Sequence, residues 1–130
     1  MMYVRIRDYI WECDVAKGNF DLQRGLGGRI SIPRQTGLLF IYPFQSIQTF
    51  WMKGMQFPID IICMNSNQEV VEIFRNVQHE PGVPDSDLNR YTTHLPIQYA
   101  LEVNAGEARD VKKGDKGLAI DIDSLESYEN

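Results

Sequence analysis

Positive charge is scarce in this chain of 130 residues: 13 Lys and Arg stand against 18 Asp and Glu, a formal net charge of -5. That balance speaks against nonspecific binding to nucleic acid or to an anionic membrane, both of which need basic surfaces. The stretch RNVQHEPG mixes both signs and forms no basic patch. Long apolar runs are also missing. The opening MMYVRIRDYIWECDVA is interrupted by Arg5, Arg7 and Asp8, so it reads neither as a signal peptide nor as a membrane span, and a cytoplasmic location is expected. Cysteine is limited to Cys13 and Cys63, too far apart for a metal knuckle. They read as reduced thiols, and the apolar neighbours of Cys63 make it a core residue.

The usual catalytic signatures are absent as well. There is no glycine-rich dinucleotide fingerprint after a strand, no P-loop, no H-E-x-x-H and no G-x-S-x-G. RGLGGR crowds its glycines at a predicted helix end, where they read as a cap rather than a phosphate cradle. His79, Glu80, Asp85, Asp87 and His94 are metal-ligand types, but their spacing matches no site, so neither metal nor cofactor is expected. A cysteine–histidine nucleophile pair is disfavoured against buried, inert thiols.

What remains is a series of short strands. YVRIRDY alternates apolar and polar with period two. TGLLFIYPF, with Pro43 as its stop, then PIDIICM, EVVEIFRNV, QYALEV and LAIDI follow, separated by turn signals such as NSNQ and KKGDKG. A short helix is expected over Phe20 to Leu26, capped by Asn19 and burying Leu22 and Leu26, and a second over AGEARDV, capped by Asn104. Residues 79–96 form a proline-punctuated loop of the length that is often functional or mobile. With 43% hydrophobic residues the chain can fill one core. The expectation is one mainly β, mostly antiparallel, barrel-like domain over residues 1–123 with two short helices, and an acidic tail over 124–130.

One segment carries the candidate chemistry. FWMKGMQFPIDII, from Phe50, holds Lys53 and Asp60 within an apolar run. Taken as a hairpin with a four-residue loop at Gly54 to Phe57, it sends Phe50, Met52, Ile59, Ile61 and Cys63 to one apolar face. Trp51, Lys53 and Asp60 then share the other face. That arrangement makes either a wet sheet surface or the floor of an amphipathic pocket with a flat aromatic, a cation and an anion.

In the order RGLGGR, GLLFIYPF, FWMKGMQFPIDII, EVVEI and YALEVNAGEARDVKKGDKG, the chain resembles domain-of-unknown-function family 192, from about Val15 to Leu118. The resemblance implies a compact antiparallel β-barrel-like fold and supplies no activity. Its motif residues include Arg24 to Leu26, Gly37 to Phe40, Phe50 to Lys53, Pro58 to Asp60, Leu101, Glu102 and Gly106. This chain has Gly27 where the family usually has methionine, and Gly54 and Met55 where asparagine and threonine are usual.

Three functions fit these residues. The first is a noncatalytic binding module that uses Trp51, Lys53, Asp60, Glu102 and Arg24 to hold a small molecule, a sugar or a peptide. The second is a hydrolase acting on a glycan or another polar substrate, with Asp60 and Glu102 as paired carboxylates and Lys53 tuning them. The third is an assembly subunit that pairs through a sheet edge.

Overall fold

A computed structural model describes residues 1–121, leaving out the side chain of Phe20. The expected acidic tail therefore lies outside the described residues. The strands are β1 (Met2–Ile6), β2 (Tyr9–Ala16), β3 (Thr36–Ser46), β4 (Thr49–Phe50), β5 (Ile59–Met64), β6 (Val70–Val77), β7 (Tyr91–Thr92), β8 (Ile97–Asn104) and β9 (Gly117–Asp121). One helix, α1 (Gly18–Arg24), follows β2, and a 3₁₀ turn covers Asp85–Asp87.

Seven strands form one sheet in the order β6-β5-β8-β3-β2-β1-β9. Every pairing in it is antiparallel except β2 with β3. The sheet curls until its ends approach. Glu69, just before β6, bridges to Lys116, just before β9. Val70 N donates to Asp115 O at 2.8 Å and Gly117 N to Gln68 O at 2.7 Å. The fold is barrel-like without a closed ladder.

Period-two patterning decides which side chains go to each face. In β1 and β2, Val4, Ile6, Trp11 and Cys13 turn inward while Arg5 and Glu12 face water. They join Leu39, Ile62, Leu101 and Val103 in the core inside the curl. The other face of β3, β5 and β8 carries Leu38, Phe40, Ile59, Ile61, Cys63 and Ala100, covered by α1 and the segment around β4. β5 lies between β6 and β8 with both faces covered, so all six of its residues are buried.

The expected hairpin from Gln48 to Met64 does not form. Phe50 pairs with Tyr91 in a separate two-stranded ribbon, β4 with β7, and β5 takes β6 and β8 as neighbours. The apolar half of the parity argument survives, because Phe50, Met52, Ile59, Ile61 and Cys63 do share one core. The polar half fails. Asp60 alternates with Ile59 and Ile61 and so points to the inner core, while Lys53 sits in an exposed turn. Asp60 is 1% exposed yet partnered. Its Oδ1 accepts from Asn76 N at 2.8 Å, and its Oδ2 from Gly106 N at 2.9 Å and Ala108 N at 3.0 Å. Three peptide donors make tolerable a burial that an unpaired carboxylate would not survive.

Two smaller expectations also change. The segment after Asn104 is a run of turns, not a helix, because its amides bond to Asp60 and to carbonyls three residues back. β3 continues past Pro43 by means of a register shift between Ile41 and Ser46, where the missing proline N–H breaks no ladder bond. The helix α1 forms as expected, starting a little earlier and without an Asn19 side-chain cap. Leu26 is buried and Leu22 packs against the same core.

Candidate functional site

The site begins where α1 ends. Gly25 has φ 52 and ψ -131, a combination closed to residues with a Cβ. A Cβ there would stand 3.0 Å from Phe40 Cζ and 3.4 Å from Glu102 Oε1. Glycine thus lets the helix end rest directly on the sheet over Glu102. Two residues on, a Cβ on Gly27 would meet Arg24 O at 2.9 Å and Lys53 O at 3.1 Å. Gly28 N then donates to Gly54 O at 3.0 Å. The RGLGG and WMKG motifs dock through their backbones, and the glycines at 27 and 54 make that approach possible.

Glu102 lies mid-strand in β8, opposite Leu38 on one side and Ile61 on the other. It is 6% exposed, and its Oε1 has no hydrogen-bond partner among the described residues. Burial pushes its carboxyl from the ordinary 4.5 up to about 8, so it is protonated at neutral pH. An aromatic chain supports this floor: Phe40 stacks with Tyr42, and Phe40, Phe50, Phe74 and Tyr91 meet edge to face at centroid distances of 5.8–6.4 Å.

Above the buried carboxyl are exposed cations. Lys53 Nζ lies 5.2 Å and Arg90 Cζ 4.4 Å from the centre of the Trp51 ring. Lys53 pairs with Asp85 at 2.8 Å. Arg90 donates to Leu88 O at 3.0 Å and Asp85 O at 3.3 Å. Arg24 Nε reaches Gly27 O at 3.4 Å. The 79–96 loop therefore contributes Arg90 and fixes Lys53 through Asp85.

These groups surround one concavity of about 1110 Å³, whose lining includes Arg24, Tyr42, Trp51, Lys53, Arg90 and Glu102. Its charged residues are three cations and one carboxyl. Four of the five residues singled out in the sequence, Arg24, Trp51, Lys53 and Glu102, meet here. Asp60 does not, for it stands beside Val103 on the opposite face of the sheet. Asp60 and Glu102 therefore cannot flank one bond as paired carboxylates. Trp51 stands with a cation as parity implies, since Lys53 lies over its ring, and Arg90 joins it there. Arg90, and the pairing of Asp85 with Lys53, are not visible in the sequence because nothing in a loop's spacing shows what it folds against. A second hollow of about 490 Å³, near Glu12, Asp14 and Arg29, holds none of the predicted residues.

Elsewhere, both thiols are buried and pushed up by desolvation, Cys13 to about 12. His94 pairs with Glu72 at 3.0 Å. Among the described residues, no three His, Cys, Asp or Glu side chains gather as a metal site would require. No helix among them is long and apolar enough to cross a membrane.

Two solved structures share this fold. A protein of unknown function from Novosphingobium aromaticivorans is 25% identical, with a TM-score of 0.79 over 89% of this chain and 83% of that one. A "putative transcription regulator" from Sinorhizobium meliloti is 24% identical, with a TM-score of 0.80 over 92% of this chain and 94% of that one, a likeness of fold alone. No curated protein matches the chain. The family profile described as "Uncharacterized ACR" matches residues 2–117, nearly the whole of the fold just described, and the chain belongs to that family, domain of unknown function 192.

Proposed function

We propose that the protein is a small noncatalytic binding module that holds a small molecule, a sugar or a short peptide segment in the cavity between α1, the Trp51 turn and the sheet. The observation that carries this reading is the Glu102 oxygen, buried and without a partner at the cavity lining. Buried polar atoms are almost always satisfied, and a carboxyl that lines a cavity, 6% exposed and with Oε1 unpartnered among the described residues, is suited to a ligand. The glycines that bring α1 and the Lys53 turn together support it, because they shape the walls. A cytoplasmic location goes with this reading, supported by two free cysteines.

The hydrolase reading loses its support once Asp60 is committed to three peptide amides on the far face. Assembly through a sheet edge is weakened by the approach of the two end strands. A thermal-shift screen of sugars, nucleotides, metals and peptides tests the module. A ligand at about 100 times its Kd adds about 2.7 kcal/mol. The reading expects at least one class to stabilise the wild type and to lose that effect in Glu102→Leu. No shift from any class, or a shift unchanged in the variant, counts against it.

A further inference from the structure

We propose that the cavity takes a small organic anion with a planar aromatic body, its charged group held by Arg24, Lys53 and Arg90 and its far end hydrogen-bonded by the Glu102 carboxyl. This rests on the binding-module reading and narrows its ligand.

The charge distribution is the first support. The chain carries a net -5, yet the charged residues of this cavity are three cations and one carboxyl. Such a local inversion gathers anions. The cations are also held in place before any ligand arrives. Arg90 is fixed by two carbonyls and the Trp51 ring, and Lys53 lies over the same ring while its ammonium pairs with the exposed Asp85. An anion arriving at Lys53 takes the place of the Asp85 carboxylate, an exposed partner that is readily exchanged.

The opposite, buried end is the second support. Glu102 Oε1 has no hydrogen-bond partner among the described residues, and burial is the cause that raises this carboxyl. Tyr42 from β3 and Cys63 from β5 are both neutral, their phenol and thiol pushed up by burial. A protonated carboxyl is a donor and an acceptor side by side, the complement of a ring carbonyl next to an N–H. Burial holds the proton up to about pH 8, so the donor persists at neutral pH and is lost above it. Tyr42, Pro43, Phe44 and Phe50 line the same cavity as apolar wall, and Phe44 stays 68% exposed. Aromatic bodies are held well by such walls.

Calorimetric titration of the full chain tests this with uridine monophosphate, which has all three features, against uridine, ribose phosphate and inorganic phosphate, each of which lacks at least one. At about pH 6.5 the monophosphate should bind roughly tenfold or more tighter than each of the others. Between about pH 6.5 and about pH 8.5 its affinity for the wild type should fall several-fold relative to its affinity for Glu102→Gln, which keeps an N–H donor at every pH; the ligand's own proton losses are common to both proteins and cancel in that ratio. Glu102→Leu should be weak at both pH values, with circular dichroism confirming its fold. Equal binding of uridine overturns the cation site, equal binding of ribose phosphate overturns the aromatic body, and identical pH profiles in wild type and Glu102→Gln overturn the donor. If none of the four binds while the broad screen yields another ligand, this proposal falls and the module stands; if the screen is also empty, both fall.

Discussion

Replacing Glu102 by glutamine should stabilise the protein increasingly as pH rises. In the unfolded chain the carboxyl ionises near its ordinary 4.5, whereas in the fold burial holds the proton up to about 8. Between those values the folded state binds more protons than the unfolded state, so raising pH favours unfolding. The contribution is fully present below 4.5 and is lost as pH climbs through 8. The slope is about 1.4 kcal/mol per pH unit. From about pH 5 to about pH 7.5 the wild type should therefore lose roughly 3 kcal/mol relative to Glu102→Gln, which cannot titrate. All other ionisable groups are common to the two proteins and cancel. Urea unfolding of both proteins at several pH values gives the difference directly, with the slope of each transition checking that both remain two-state. A constant difference across that range would mean that Glu102 is ionised in the fold, and the neutral donor at the cavity would be refuted.

Other expectations follow from single contacts. Asp60→Ala strips an acceptor from three amides, two of them in the 104–111 turns, and should cost roughly 3–5 kcal/mol in urea unfolding; a loss under about 1 kcal/mol would show that the turns do not depend on it. Gly25→Ala forces a Cβ into a closed backbone region and against the Phe40 ring, and should cost about 1–3 kcal/mol while weakening any ligand of the cavity. Asp85→Asn breaks an exposed ion pair, so stability should change by less than about 1 kcal/mol, while uridine monophosphate should bind a few-fold tighter because Lys53 is released; weaker binding would show that Asp85 is needed to position the lysine.

Much of the fold was legible because period-two patterning is strong where one face is wet. β1 shows Arg5 out with Val4 and Ile6 in, as the alternation of YVRIRDY implies, and β2 follows the same rule with Glu12 out and Trp11 in. The pattern fails at β5, where both faces are buried and every residue is covered whatever its parity. Parity alone therefore puts Asp60 with Trp51 and Lys53, on a wet face or a pocket floor, and says nothing of the amides that satisfy it. One of those amides is Asn76 in β6; the other two lie in the turns after Asn104, far off in sequence, and their pull toward Asp60 also explains why no helix forms there. The site was legible in part for a different reason. Arg24, Trp51 and Lys53 come from segments rich in glycine or in mixed aromatic and charged residues, and Glu102 is a lone charge in a strand between the buried Leu101 and Val103. Their convergence depends on the backbone docking of Gly28 on Gly54, a contact that spacing does not reveal. Arg90 had no local signal at all.

The most direct test of the account is a heteronuclear NMR titration of isotope-labelled protein with uridine monophosphate at about pH 6.5, where the carboxyl is protonated. The account predicts saturable shifts concentrated at Gly25, Gly27, the Trp51 indole, Lys53, Arg90 and Glu102, with Glu12, Asp14 and Arg29 around the second hollow unmoved. Shifts scattered over the surface, or centred on that second hollow, would contradict it.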